Sequence, residues 1–253
     1  MKKTLIALAV AASAVVSGSA MAADWKQNGT GGSVELGGTL TPVDVVTPWE
    51  VKVGTGIDSL ATDISKGQTD VSVTLPANVL VLGIRSSENF VGQAGISPQI
   101  NYNGAVDVDS FDNGLADLVL DVKDSSDDVI GSLSTKIVAA AELTSVSNDK
   151  YASIFASQQG SAFFGGIAKS SSTISSVSPT SIANSLDPTI LDNYNQGASQ
   201  QKARDQAFSG DETFAAFYAA GLLKDNALNI KLTTAPQSSV QWKVSLPVTV
   251  SYQ

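Results

Sequence analysis

The chain has 253 residues, with 15 lysines and arginines against 24 aspartates and glutamates, a net charge of −9, and neither cysteine nor histidine. A surface this acidic repels nucleic acid and anionic lipid. The missing residue types exclude disulfides, His- or Cys-ligated metal sites and nucleophile–base pairs built on Cys or His, so an enzyme would be left with carboxylate, Ser/Lys or Tyr chemistry.

Met1-Lys2-Lys3 is a basic start, Leu5 to Val16 is an uncharged apolar run, and Ala20-Met21-Ala22 has the small-x-small form that signal peptidase cuts. Residues 1–22 are therefore expected to be a secretory signal peptide, too short in its apolar part to span a membrane comfortably. Its removal would leave 253 − 22 = 231 residues beginning at Ala23 and, without Lys2 and Lys3, a net charge of −11. Nothing further along is apolar enough to cross a bilayer, so the exported product is expected to be soluble.

Residues 23–41 are rich in Gly, Thr and Asn and contain one alternating stretch, with Val34, Leu36, Gly38 and Leu40 spaced by two. From Trp49 to about Lys136 the pattern is of strands broken by turns. Val71 to Leu75 and Leu118 to Val122 alternate with period two, and Val79 to Leu82 is wholly apolar. Asn103-Gly104, Asn113-Gly114 and the acidic run Asp124 to Asp128 read as turns between them. Many short strands with such turns predict an antiparallel sandwich.

Between about 139 and 210 the composition shifts to Ala, Ser and Gln, and the region reads as an insertion of helices and long loops. Asp187-Pro188 supplies an N-cap and first-turn pair, after which Leu191, Tyr194 and Ala198 fall on one helical stripe. Serine-dense Ser170 to Ser178 reads as a loop. Phe214 to Leu223 fits either helix, by its alanines, or strand, by its aromatics. Leu228 to Leu232 returns to strand.

Residues 240–252 alternate most strictly. Val240, Trp242, Val244, Leu246, Val248, Val250 and Tyr252 form one apolar face, and the intervening residues are polar apart from Pro247. Proline cannot donate to a ladder, so this strand should lack a regular neighbour on one side. Either end of the chain, taken alone, also fits an ordinary edge strand paired within its own domain. Together they suit strand addition, in which an extended segment from outside supplies backbone bonds and alternate side chains.

The remaining constellations are weak. Asp107, Asp109 and Asp112, like Asp124, Asp127 and Asp128, lack the spacing and closing glutamate of a calcium loop and read as solvated turns. Gly54-Thr55-Gly56 and Gly165-Gly166 lack a phosphate-loop lysine and also read as turns. Phe163, Phe164 and Tyr194 are candidates for a sugar-stacking surface, although aromatics at such positions are more often core. No metal or cofactor is expected.

With these residues in view, the sequence resembles the major subunits of the kappa class of chaperone–usher fimbriae of enteric bacteria. The resemblance is carried by residues 1–22, Ala23-Asp24-Trp25, Gly32 to Leu40, Trp49 to Gly56, Gln241-Trp242 and Pro247 to Tyr252. It implies a mostly β, incomplete immunoglobulin-like sandwich at 42–253, lacking its seventh strand and completed by a donor strand from a neighbouring subunit. Val34, Leu36, Gly38 and Leu40 would be the donor residues. Val244, Leu246, Val248, Val250 and Tyr252 would line the groove and first bind a periplasmic chaperone. The implied partners are neighbouring pilins, that chaperone, an outer-membrane usher and a host glycan or glycoprotein, the last contacted through 139–210. The implied location is a fimbrium on the cell surface, and the implied role is structural and adhesive. A minor pilin without receptor binding fits the same ends, and a secreted hydrolase remains the rival from another class.

Overall fold

The computed structural model describes residues 27, 28, 30, 34, 36–40 and 46–253. The expected signal peptide lies outside these residues. The chain divides into two units, Met1–Val43 and Asp44–Gln253. Every described strand belongs to the second unit. In chain order they are β1 (Trp49–Val53), β2 (Asp70–Thr74), β3 (Val79–Ser86), β4 (Phe90–Val91), β5 (Pro98–Asn101), β6 (Val106–Asp112), β7 (Leu115–Lys123), β8 (Val129–Ser145) and β9 (Lys150–Phe155). Helix α1 (Pro179–Leu186) and a 3-10 turn (Pro188–Leu191) follow. Last come β10 (Ser199–Gln200), β11 (Arg204–Asp205), β12 (Thr213–Leu222), β13 (Ala227–Leu232) and β14 (Thr249–Tyr252).

Strand β8 organises the fold. Its first half lies between β7 and β13, with Leu133 opposite Leu120 on one side and Ile230 on the other. Its second half lies between β12 and β9, with Glu142 opposite Phe217 and Ser153. Beyond β12 come β3 and then β1, and beyond β13 comes β2, all antiparallel. The result is mostly β, an immunoglobulin-like sandwich whose layers share one long strand. Asn103 and Asn113 have left-handed φ of 53° and 47°, each followed by a glycine of positive φ, as tight turns require.

The main core lies between the layers. Ile84, Leu118, Ile137, Leu143, Phe208, Phe214 and Tyr218 are all buried in it. Trp49 closes one side, its ring edge-on to Phe90 with centroids 5.0 Å apart and its indole N–H donating to Ile96 O at 2.6 Å. The Tyr102 and Tyr218 hydroxyls are buried 2.7 Å apart, and Tyr218 donates onward to Gly166 O at 3.0 Å. Burial holds both phenols above their ordinary range.

Two sequence readings need correction, and one left open between helix and strand is decided. The alanine-rich stretch from 139 is not the start of an insertion: Ala139, Ala140 and Ala141 continue β8 as buried strand. β12 pairs with one edge of that stretch, and α1 covers its outer face through Ile182 against Val138 and Ala140. A strand covered on both faces loses its period-two alternation. The same holds for Thr213–Leu222, which is strand β12, with Phe217 and Ala219 under Ala183 and Ile190 on the outside and Tyr218 inside. Finally, the α-helix precedes Asp187. Ser178 caps α1 by accepting from Ser181 N, with Pro179 in the first turn, whereas Asp187 caps only one 3-10 turn by accepting from Thr189 N. Leu191 and Tyr194 are therefore not on a helical stripe. The serine-dense loop and the strands at 71–75, 79–82, 118–122 and 228–232 are where the sequence puts them.

Candidate functional site

The terminal strand is incompletely paired. Lys243 and Lys123 exchange both backbone hydrogen bonds at 2.9 Å, and β14 pairs with β5 from Thr249–Asn101 to Tyr252–Pro98. Between these two anchors, residues 244–248 make no backbone hydrogen bond among the described residues, and Pro247 sits in that gap. Among the described residues only one edge of β14 is occupied.

Its side chains show the same incompleteness. Trp242, Val244, Leu246, Val248, Val250 and Tyr252 are each half-buried, while the odd-numbered residues between them are exposed. The even residues rest on the two main apolar clusters without being enclosed by them. Ile57, Leu60 and Val71, from the other end of the sandwich sequence, rest half-buried on the second cluster beside Trp242 and Val244. An apolar groove bounded by an unpaired backbone edge is a place where one more strand fits.

In the first unit, Val34, Leu36 and Leu40 are 88%, 95% and 98% exposed. A Cβ on Gly38 would meet nothing within 4 Å. Isolated apolar residues on a surface need no explanation, but this spaced set has no cover at all.

The structure separates the three aromatic candidates. Phe163 is fully buried, stacked on Tyr218 at 5.5 Å and edge-on to Trp49 at 5.7 Å. Phe164 is half-buried where its carbonyl accepts from Ile100 N at 2.8 Å. Tyr194 lies on the opposite face of β12, edge-on to Phe217 at 4.7 Å. Phe217 and Tyr218 are neighbours on one strand, so their side chains point to opposite faces. Phe163 and Tyr194 therefore do not share a surface.

The Tyr194 hydroxyl donates to buried Glu142 at 2.9 Å and accepts from Thr144 at 3.0 Å, and Gln196 adds a donor to Glu142 at 2.7 Å. Burial raises the Glu142 carboxyl above the usual carboxylate range, partly offset by the Tyr194 and Gln196 hydrogen bonds. A raised carboxyl favours the protonated native state. Its contribution to stability is full below pH 4.5 and is lost as pH rises through the folded value. Glu142→Gln should flatten this part of the stability–pH curve, so that the variant gains on wild type as pH rises through the folded value. Thermal melts from pH 4 to 8 test this, and parallel curves would contradict it. The sequence reading did not flag Glu142, which fell in the expected insertion, although a lone carboxylate in an apolar run is the available signal.

Of the two acidic runs, Asp124 to Asp128 forms a turn, whereas Asp107, Asp109 and Asp112 lie within strand β6 rather than in a turn. The Asp124 carboxylate accepts from Ser126 N and Asp128 N, and Asp127 pairs with Lys243 at 2.7 Å, which lowers its carboxyl. Among the described residues no cluster of acidic side chains is arranged to hold a metal ion.

Fold and terminal strand together define a class, that of immunoglobulin-like β-sandwich proteins with an incompletely paired edge among the described residues. The family described as "Fimbrial, major and minor subunit" matches residues 1–253. Two relatives from Escherichia coli, the K88 fimbrial proteins AB and AC, are 30% and 29% identical over the whole of both chains. The F41 fimbrial protein, also from Escherichia coli, is 40% identical over 58% of this chain and 55% of its own length. The chain belongs to the K88 family of fimbrial subunits, and it is an exported protein of the surface fimbrium.

Proposed function

We propose that this subunit polymerises by donor-strand exchange. Val34, Leu36, Gly38 and Leu40 of one copy lie in the groove beside Val244, Leu246, Val248, Val250 and Tyr252 of the next. A periplasmic chaperone holds that groove first and an outer-membrane usher receives the subunit, while the finished fibre binds a host glycan or glycoprotein through the region 139–210. The role is structural and adhesive rather than catalytic. One observation carries the reading: a period-two apolar face left half-buried along an unpaired edge, with exposed Val34, Leu36 and Leu40 matching it in spacing. Each large aliphatic donor enclosed would contribute about 1.5–3 kcal/mol, and a row of backbone bonds would add to that, so exchange would be slow to reverse.

Deleting residues 23–40 from the mature chain, co-expressed with a matching chaperone, should leave a chaperone-bound monomer and abolish SDS-resistant multimers. Multimers at wild-type yield from the truncated chain would sink the assembly model.

A further inference from the structure

The chain's cations are few, and half of those in the described residues are matched to carboxylates, as in Arg85–Glu50 at 2.6 Å and Lys136–Asp117 at 2.7 Å. One open cleft departs from this pattern. It has a volume of about 570 Å³ and lies between the end of β8, β9 and the segment 201–204. Lys150, Lys202 and Arg204 line it together with Asn148, Tyr151 and Glu212. Lys150 and Lys202 are exposed and form no ion pair among the described residues. Arg204 is 3.6 Å from Glu212, whose other oxygen accepts from Ser145 and, at 3.4 Å, from Asn148.

The topology creates this cleft. β10 and β11 both run parallel to β9, pairing Ser199 with Lys150 and Arg204 with Ile154. Gln201 N still donates to Tyr151 O at 2.8 Å, and between it and Arg204 the chain brings Lys202 to the cleft lined by Asn148 and Lys150. Cations separated by some fifty positions in sequence are thereby assembled around one opening.

We propose that this cleft binds an acidic saccharide, one whose sugar ring bears a carboxylate or a sulfate. The inference rests on the reading that the fimbria binds a host glycan, and it names the ligand class and the site. Three cations against one already engaged carboxylate attract an anionic substituent. Asn148 and Glu212 offer both a donor and an acceptor for sugar hydroxyls, and half-buried Tyr151 offers a ring face for the apolar side of a pyranose. The volume falls within the usual range for a small-ligand site. A long polyanion is disfavoured by the net charge of −9 around so local a patch.

The test uses intact purified fimbriae from wild type, from Lys150→Gln/Lys202→Gln and from Lys150→Arg/Lys202→Arg. The probes are 3′-sialyllactose, lactose 6′-sulfate, lactose and immobilised mucin. Wild-type fimbriae should bind at least one of the two anionic sugars more tightly than lactose, and which one they hold identifies the anion. That binding should weaken on raising salt, fall by about tenfold or more in the glutamine variant, and survive in the arginine variant. Equal affinity for lactose, or a glutamine variant that binds like wild type, would overturn the site while mucin binding left the adhesive reading standing. Fimbriae that assemble yet hold neither mucin nor any of the three sugars would overturn both.

Discussion

Replacing Phe163 by alanine should lower the stability of the sandwich by about 3–5 kcal/mol, the usual cost of emptying a closed aromatic site. Its ring is wholly buried, stacked on Tyr218 and flanked by Trp49 and Phe208. The neighbours are held by the hydrogen bonds of Trp49 to Ile96 O and of Tyr218 to Gly166 O, so they cannot collapse easily into the space. The backbone adds a further restriction: Phe163 has φ of 62°, which a bulky residue rarely adopts, and its N–H donates to Pro98 O at 2.7 Å. Denaturant unfolding of the chaperone-free fibre measures the effect. Near-native stability combined with lost receptor binding would instead mean that Phe163 is a contact surface.

The second large effect concerns the groove. Leu246→Asp sets a carboxylate on the half-buried face, in the stretch between the Lys243 and Thr249 anchors that has no ladder of its own. Enclosing that charge under a donor strand without a partner would cost several kcal/mol. Polymer should therefore vanish, while the unassembled subunit keeps its fold because Leu246 is not enclosed there. Ser245→Asp is the control, since Ser245 faces solvent on the opposite side of the same strand. Wild-type polymer from Leu246→Asp, or equal loss from Ser245→Asp, would contradict the groove assignment. Gel multimers and electron microscopy of fibres distinguish these outcomes.

These expectations also show where sequence suffices. The terminal strand was legible because one face meets apolar clusters and the other meets water, so Val244 to Tyr252 keeps a strict alternation. Strands β8 and β12 lack it where α1 lies on their outer face, and their alanines, which let the helix approach, resemble helix formers in isolation. The helix start was misplaced because Ser178-Pro179 and Asp187-Pro188 are the same kind of signal. The first stood in a run of serines that looked like a loop. Only tertiary packing of Ile182 and Ala183 decides which pair begins an α-helix. The aromatic candidates could not be sorted from sequence, because whether Phe163 and Tyr194 share a face depends on which side of β12 each loop takes. The cleft cations were invisible for a related reason: Lys150 meets Lys202 and Arg204 only through parallel pairing to β9.

Strand β8 sets the tempo at which this protein reaches its native state. Its register is completed only when Tyr218 comes opposite Ala141 and Ile230 opposite Leu133, so the partners on one edge come from far later in the chain. Loop closure over such separations precedes any reward from pairing, and chains dominated by non-local strand contacts fold in milliseconds to seconds rather than microseconds. Throughout that interval Val138 to Leu143 and Phe214 to Leu222, both rich in apolar side chains, stand without their neighbours and can associate with other copies. A factor that bound the chain before β12 and β13 arrived would shorten that exposure. On the proposed assembly route, a chaperone would thus serve folding time as well as the open edge of the terminal strand.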